Sequence, residues 1–368
     1  HPPMTPPNQR SAAPSVRTGQ GSTRLTREEF GKRYRMQFYD PAFEGAEEEI
    51  ARLTGIAWEA YEAGRKSART RPAGPGFADP EQELSVEWLE ARAAIAEAEK
   101  LQKSGGGDSR ILVICASPRT DETCPSEMSK TFRIATAVRE QIGSAGHFTA
   151  DFLDLSHLSS EYGRKIFPCK ACVSTAMPLC HWPCSCYPNH ALGQVHDWMH
   201  EIYPRWVAAH GVMIITPVHW NQAPSVLKLM IDRLVCADGG NPDPTTTDGK
   251  DAAKAKALEL ADWPYPRHLA GRIFALIVHG DTEGADSLRH NLHDWLTGMD
   301  LVSAGGAAEF DRYIGYFEPY ATSHEALDRD VAFMQEARNA TTILMEAVSG
   351  MRSGRQAPGQ ALESPRPK

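Results

Sequence analysis

The sequence predicts an α/β fold in which a parallel sheet of five strands is covered by helices on both faces. Short, entirely apolar runs at 111–116, 212–216 and 273–279 have the length of buried strands, and sequence with helical periodicity follows each of them. Two further strands are predicted at 147–155, where apolar and polar residues alternate, and at 301–310. Buried strands that alternate with helices form a parallel sheet.

The composition is typical of a globular protein with one or two domains. Of the 368 residues, 41% are hydrophobic, and no apolar run approaches the roughly 20 residues that cross a bilayer. The net charge is −8 and no block of basic residues occurs, which disfavours nucleic acid and membrane surfaces as partners. The N-terminus lacks the charged and apolar regions of a secretory signal, so we expect a cytoplasmic protein.

Both ends of the chain are predicted to be disordered tails. Residues 1–24 and 351–368 are rich in Pro, Gly and Ser and show no periodicity, so they cannot bury enough apolar surface to fold. Between them we predict a helical extension at 25–104 and a sheet domain at 109–350, joined by the glycine-rich sequence KSGGGD.

Three helices are predicted in the extension. The first begins with a capping box formed by Thr26 and Glu29, carries aromatic residues at every fourth position, and ends before Pro41. The other two are predicted at 43–65 and 81–102. The apolar face of these helices is expected to pack against the sheet or against a second subunit.

Ligands of an open parallel sheet bind at the carboxyl ends of its strands, so the loops that follow the strands are the candidate sites. The loop after the first strand carries Ser117 and Arg119, and Ser129 and Thr131 lie near the start of the next helix. Hydroxyl groups at a helix N-terminus favour a terminal phosphate group. The alternative is an ordinary helix start that is capped by Ser126.

The loop after the third strand reads TPVHWNQAPSVLKLMIDRL. Its residues Pro217 to Asn221 offer a rigid turn, an aromatic face and amide hydrogen bonds to a planar heterocycle. The alternative is that Trp220 only packs and that His219 is a surface residue. The loop after the fourth strand contains His279, Gly280 and Asp281, where glycine allows a ring or a ribityl chain to approach the backbone.

Residues 116–119 (ASPR), 129–131 (SKT) and the LKxxxDR helix at 227–233 resemble the phosphate and isoalloxazine loops of the flavodoxin-like NADPH-dependent FMN reductases. The resemblance covers about residues 109–310. It implies a doubly wound sheet of order 2-1-3-4-5, bound FMN with NAD(P)H as co-substrate, and a homodimer or homotetramer. By position, the FMN-binding residues are Ser117, Arg119, Ser129 and Thr131 for the phosphate, with Pro217, Val218, His219, Trp220, Asn221, His279 and Gly280 around the ring.

The chain departs from this family pattern at two places. Ala116 stands where the family usually has glycine, and the first loop contains an insertion around DETCP. His219 stands where the family usually has an aromatic residue. If one side chain tunes the flavin, we expect it to be His219, because a histidine that titrates near neutral pH can deliver a proton.

A cluster of cysteines lies between the second and third strands. Five of the eight cysteines fall within this segment: Cys169, Cys172, Cys180, Cys184 and Cys186. Thiolates at CxxC spacing can bind one metal ion or one edge of a cluster. The segment also resembles the cysteine loop of iron–sulfur flavoproteins, which implies a [4Fe-4S] cluster, although Thr175 stands where that branch has its third cysteine.

Two alternatives to an iron–sulfur cluster remain open. Zinc could be bound by the CxxC pair with other cysteines, or with His196 and His200. Without a metal, the thiols would pack as small apolar groups or form a redox-active CxxC pair beside the flavin.

The sequence therefore supports three functional hypotheses. The first is an FMN-dependent NAD(P)H oxidoreductase that reduces a small acceptor, such as a quinone, a nitro compound or a flavin. The second is an iron–sulfur flavoprotein that exchanges electrons with a ferredoxin-like partner. The third is a flavin-binding module without turnover. Hydrolase motifs such as GxSxG and HExxH are absent from the sequence.

Overall fold

The structure, a computed structural model, describes residues 18–355. Most of the two predicted tails, residues 1–17 and 356–368, lies outside the described residues. The chain divides into two compact units, one ending at Gly64 and the other beginning at Arg65. No helix within the described range is long and apolar enough to cross a membrane.

The first unit contains helices α1 (Arg27–Arg35) and α2 (Glu47–Glu62), with two short 3-10 turns between them. Aromatic rings join the two helices, and the rings of Phe30 and Tyr61 stack with centroids 4.8 Å apart. Thr26 caps α1 as predicted, with its Oγ1 accepting from the Glu29 amide at 3.2 Å. The reciprocal half of the capping box is absent, because the Glu29 carboxylate binds Arg33 Nε at 2.8 Å instead.

The second unit begins with a hairpin that the sequence did not indicate. Strands β1 (Thr70–Pro72) and β2 (Glu83–Ser85) pair in antiparallel fashion, and α3 (Val86–Lys103) follows at once. The prediction of a helix from residue 81 was therefore wrong at its start, since residues 83–85 pair with β1. The indole Nε1 of Trp88 donates to Pro183 O at 2.8 Å, which attaches α3 to the stretch of chain that contains the five clustered cysteines.

The second unit is built around a parallel sheet that confirms the predicted order 2-1-3-4-5. From one edge the strands run β4–β3–β5–β6, with β7 and β8 together forming the last position beside β6. All these pairings are parallel. The strands are β3 (Ser109–Cys115), β4 (Phe148–Asp154), β5 (Gly211–Pro217), β6 (Ile273–Gly280), β7 (Val302–Ser303) and β8 (Glu309–Tyr313).

The predicted fifth strand at 301–310 is interrupted. The first piece, β7, pairs with the start of β6, and the second piece, β8, pairs with its end. Between them lies a 3-10 turn at Gly306–Ala308. The sequence SAGGAA explains the interruption, because consecutive glycines and alanines weaken a strand.

Helices cover both faces of the sheet, and the pleat of each strand divides its side chains between two cores. Leu112 and Ile114 of β3 face one core, whereas Ile111 and Val113 face the other. The helices that follow α3 are α4 (Lys130–Ser144), α5 (His157–Ser160), α6 (Met199–Ala208), α7 (Ser225–Arg233), α8 (Ala252–Leu260), α9 (Ala285–Gly298), α10 (Tyr320–Arg329) and α11 (Val331–Arg352). The first core also receives α3, α6, α7 and α9, and the second receives α4, α10 and α11.

Residues 241–268, which we call the insertion, form a 3-10 turn and α8 between α7 and β6. The insertion packs on the cysteine segment, defined as residues 169–186. The backbone of Asn241 bonds to Cys180 O and receives a bond from the Trp182 amide, both at 2.8 Å. Glu259 Oε1 accepts from the Met177 amide at 2.9 Å. The long connection between α7 and β6 therefore covers the cysteine segment.

Candidate functional site

A cavity of about 610 Å³ opens where β3, β5 and β6 end. We call it the main cavity. Its walls come from the loops that follow these three strands, which is where a ligand of a doubly wound sheet is expected. The predicted residues that line it are Ser117, Arg119, Ser129, Thr131, Pro217, Val218, His219, His279 and Gly280.

One wall of the main cavity is formed by the start of α4. Ser129 caps this helix, with its Oγ accepting from the Phe132 amide at 3.1 Å. The alternative cap, Ser126, was wrong: it lies three residues upstream with a φ of 65°, outside helical geometry. Ser117 is buried at the end of the adjoining strand, and its Oγ accepts from the Arg119 amide at 3.3 Å.

Two cationic side chains form part of this wall, and only one of them was predicted from the sequence. Arg119 and Lys130 both line the cavity, and each is partly buried. Burial lowers the pKa of the Lys130 ammonium, while the nearby Asp281 carboxylate opposes that effect. The position of Lys130, between the two predicted residues Ser129 and Thr131, was the signal that could have identified it.

His279 lies on the floor of the main cavity, near the end of β6. Its Nε2 lies 3.0 Å from Thr131 Oγ1, and both side chains are buried. Burial, reinforced by the nearby charges of Lys130 and His219, lowers the pKa of His279 to about 3. The imidazole is therefore neutral at physiological pH, so it is a hydrogen-bond partner and not a cation.

The loop after β5 forms a tight turn at the opposite wall. His219 and Gln222 exchange both of their backbone hydrogen bonds at 2.9 Å. The two residues between them, Trp220 and Asn221, have φ values of 49° and 62°. Positive φ at both central positions is the geometry of a type I′ turn, which holds the loop rigid.

This turn presents its side chains in different directions. The side chain of His219 lines the cavity, and its pKa is lowered by partial desolvation and by the Arg119 charge. Trp220 is 95% exposed, so the alternative in which it only packs was wrong, whereas His219 is exposed as that alternative expected. Neither Trp220 nor Asn221 lines the main cavity in this structure.

The loops after β5 and β6 are fitted closely together. Gly284 has a φ of +100°, and a Cβ atom added there would lie 2.7 Å from the Asn221 Cα. A side chain at this position would thus strain its own backbone and displace the turn. Gly284 was not predicted from the sequence, because the need for glycine there arises from the contact between the two loops.

The donor set of the main cavity fits a phosphorylated flavin. The N-terminus of α4, a helix of 15 residues, lies beside hydroxyl groups and two cations that line the cavity. This combination of groups suits a phosphate. The rigid loops after β5 and β6 leave room beside them for a planar ring. FMN, when bound, accepts a hydride from a nicotinamide and passes the electrons to an acceptor.

The cysteine segment lies apart from the main cavity and brings two of its thiols together. The Sγ atoms of Cys172 and Cys186 are 3.3 Å apart. The Nζ atom of Lys250, from the insertion, lies 3.3 Å from Cys186 Sγ and 3.6 Å from Cys172 Sγ. The contact with Cys186 and the Lys250 charge lower the pKa of Cys172 to about 6, whereas burial is opposed to this shift.

The other cysteines have different surroundings. Cys180 and Cys184 are buried, and the pKa of each thiol is raised, for Cys184 mainly by its contact with Cys186 and for Cys180 mainly by burial. Cys169 is partly exposed, and its Sγ accepts from the Ala171 amide at 3.3 Å. Among residues 18–355, no group of three or more His, Cys, Asp or Glu side chains is arranged to hold a metal ion. The iron–sulfur cluster and the zinc site, including His196 and His200, stay predictions.

The sheet order and a strand-end cavity lined by hydroxyl groups and two cations define a flavodoxin-like protein. Residues 109–312, more than half of the chain, match the model of the family described as NADPH-dependent FMN reductase. The chain belongs to this family, and it is an FMN-dependent NAD(P)H oxidoreductase.

Solved structures with a similar fold are distant in sequence. The chain is 12% identical to RosB with a bound 8-demethyl-8-formylriboflavin-5'-phosphate intermediate, with 71% of this chain and 94% of that chain covered and a TM-score of 0.42. It is 16% identical to an NAD(P)H:quinone oxidoreductase from Methanothermobacter marburgensis (64% and 98% covered, TM-score 0.38). It is 15% identical to an oxidoreductase from Corynebacterium diphtheriae (66% and 99% covered, TM-score 0.35). No curated protein matches the sequence.

Proposed function

We propose that the protein binds FMN in the main cavity and transfers electrons from NAD(P)H to a small planar acceptor, such as a quinone, a nitro compound or a flavin. The observation that carries this proposal is the convergence of a phosphate-binding donor set and a rigid turn on one cavity. The donors at α4 hold one end of the cofactor, and the loops after β5 and β6 hold the other.

The phosphate is bound by Ser117, Arg119, Ser129 and Thr131, and Lys130 adds a second positive charge. Two cations balance the charge of a phosphate dianion, which favours FMN over unphosphorylated riboflavin. The Asp281 carboxylate, which also lines the cavity, opposes the lowering of the Lys130 pKa and so favours the charged ammonium.

The ring lies against the backbone from Pro217 to His219 and against Gly280. His219 faces the cavity with a lowered pKa, so its imidazole is neutral at pH 7 and acts as a hydrogen-bond partner of the ring. The exposed indole of Trp220 supplies an aromatic surface beside the cavity mouth. A flat aromatic surface at this point supports a planar acceptor, which can stack on it.

The test is a comparison of binding and turnover in the full chain. FMN and riboflavin are titrated against the flavin-free protein, and NADH and NADPH oxidation is then followed with menadione, nitrobenzene and free FMN as acceptors. We expect tighter binding of FMN than of riboflavin, and rapid turnover with at least one acceptor. Failure to bind FMN overturns the proposal. Bound FMN that is reduced by a ferredoxin but not by NAD(P)H supports the electron-carrier hypothesis instead.

A further inference from the structure

The pairing of thiols in the cysteine segment differs from the pairing that the sequence spacing suggests. Cys172 lies in a CxxC motif, yet its sulfur contacts Cys186, which is 14 residues away, at 3.3 Å. A disulfide bond requires a separation of about 2.05 Å. The two sulfurs are therefore little more than about 1 Å farther apart than they would be in a disulfide bond.

Lys250 contacts both sulfurs of this pair. Its ammonium lies 3.3 Å from Cys186 Sγ and 3.6 Å from Cys172 Sγ, and it also donates to Leu179 O at 3.4 Å. A partly buried cation such as Lys250, beside a thiol, stabilises the negative charge that the sulfur carries when it acts as a nucleophile. Because Lys250 belongs to the insertion, the position of this charge depends on the packing of the insertion on the cysteine segment.

The pair is accessible from solvent through a second cavity. This cavity has a volume of about 460 Å³, and its lining includes Cys172, Cys186 and Lys250. Lys66 and Lys170 also line it, so the cavity has three cations against the two carboxylates of Glu83 and Asp248. None of its lining residues lines the main cavity, so a reaction here does not compete for the flavin site.

We propose that Cys172 and Cys186 form a reversible dithiol–disulfide site in this second cavity, and that its substrate is a small disulfide with acidic groups. This inference rests on the contact between the two sulfurs and on the Lys250 ammonium that contacts both of them. It also rests on the three lysines that line the second cavity. It is independent of the flavin and of the function proposed above.

The reaction is a thiol–disulfide exchange in two steps. The Cys172 thiolate attacks one sulfur of the substrate, which forms a mixed disulfide and releases one substrate thiolate that takes up a proton. The Cys186 sulfur, after losing its proton, then attacks Cys172 Sγ, which forms the Cys172–Cys186 bond and releases the second substrate thiolate. The two electrons lost by the protein thiols reduce one substrate disulfide to two thiols.

The test uses the full chain after reduction and removal of the reductant, with oxidised glutathione as the substrate. Remaining thiols are alkylated, and the digested protein is analysed by mass spectrometry. We expect a peptide cross-linked between Cys172 and Cys186. Two molecules of reduced glutathione should be released for each cross-link. A Cys186→Ser variant should stop at the mixed disulfide on Cys172, and a Cys172→Ser variant should give no cross-link.

Three further variants separate this site from incidental oxidation. Cys169→Ser removes the neighbouring thiol of the CxxC motif and should leave the cross-link unchanged. Lys250→Met should slow the exchange by about tenfold, because the sulfurs lose their cation, and Lys250→Arg should restore most of the rate. Bis(2-hydroxyethyl) disulfide, which carries no charge, should react more slowly than oxidised glutathione.

Several results would overturn the proposal. One is a cross-link between Cys169 and Cys172 in place of the expected pair. Another is a rate that is the same in Lys250→Met as in the unaltered chain. A third is stoichiometric iron and acid-labile sulfide that protect these thiols from alkylation, which would assign the segment to a cluster.

Discussion

The imidazole Nε2 of His279 lies 3.0 Å from the hydroxyl Oγ1 of Thr131, 148 residues away in the sequence. This contact joins the end of β6 to the first turn of α4, and both residues are buried. The pKa of His279 is lowered to about 3, so this part of the main cavity carries no charge at neutral pH. The positive charge of the site is thus concentrated at Arg119 and Lys130.

We predict a pH-dependent stability that originates from His279. Its pKa of about 3 in the folded protein lies below the ordinary value of 6.5, so between these values only the unfolded chain binds the proton. Stability is therefore lost as the pH falls below 6.5, by up to about 1.4 kcal/mol per pH unit. His279→Gln should lack this part of the pH dependence in urea unfolding measured between about pH 6 and pH 4. Equal slopes for the two proteins would contradict the prediction.

Arg119→Ala should weaken FMN binding and leave riboflavin binding unchanged. Loss of a charge-assisted hydrogen bond costs about 1.5–3 kcal/mol, which corresponds to a 10- to 100-fold higher Kd. Riboflavin has no phosphate, so a similar loss for both flavins would argue against a phosphate contact. Arg133→Ala is the matched control, because Arg133 is on α4 but does not line the main cavity, and it pairs with the exposed Asp328 at 3.0 Å.

Gly284→Ala should destabilise the protein and weaken flavin binding together. The new Cβ would lie 2.7 Å from Asn221 Cα, and the backbone has a φ of +100°. We expect a loss of about 1–3 kcal/mol in thermal or urea unfolding. Gly143→Ala is the control: Gly143 lies in α4 with no atom within 4 Å of an added Cβ, so stability should rise by about 0.5–1 kcal/mol. Similar losses in both variants would contradict the argument from the turn.

Asp197→Asn should be strongly destabilising. Arg233, from the LKxxxDR helix, is fully buried and pairs with Asp197, donates to Phe167 O at 2.8 Å and lies over the Tyr187 ring. Removing the carboxylate leaves a buried cation without its counter-charge, which costs about 3–5 kcal/mol. Glu97→Gln, which breaks an exposed pair with Lys100, should cost less than about 1 kcal/mol in the same unfolding experiment. A comparable loss in both variants would contradict the prediction.

The sequence was informative about the main cavity for a simple physical reason. Buried strands are marked by local apolar runs, and the loops that follow them meet at one edge of the sheet, so Ser117, Pro217 and His279 could be brought together without any coordinates. Lys130 was missed because a lysine at a helix start has no local pattern that separates a solvent-exposed cation from one beside a cavity. The strand at 301–310 was predicted as one element, since its interruption is decided by pairing with β6.

By itself, the sequence determined the strands of the sheet, the loops that form the cavity and the motifs that imply the family and, through it, the order of the sheet. These depend on local periodicity and on short contiguous motifs. The tertiary structure alone decided that Cys172 meets Cys186 and not its neighbour in the CxxC motif, that Lys250 reaches both sulfurs, and that Asp197 neutralises Arg233. Such contacts join side chains that are distant along the chain, and their partners are fixed by the packing of whole segments, which no local pattern records.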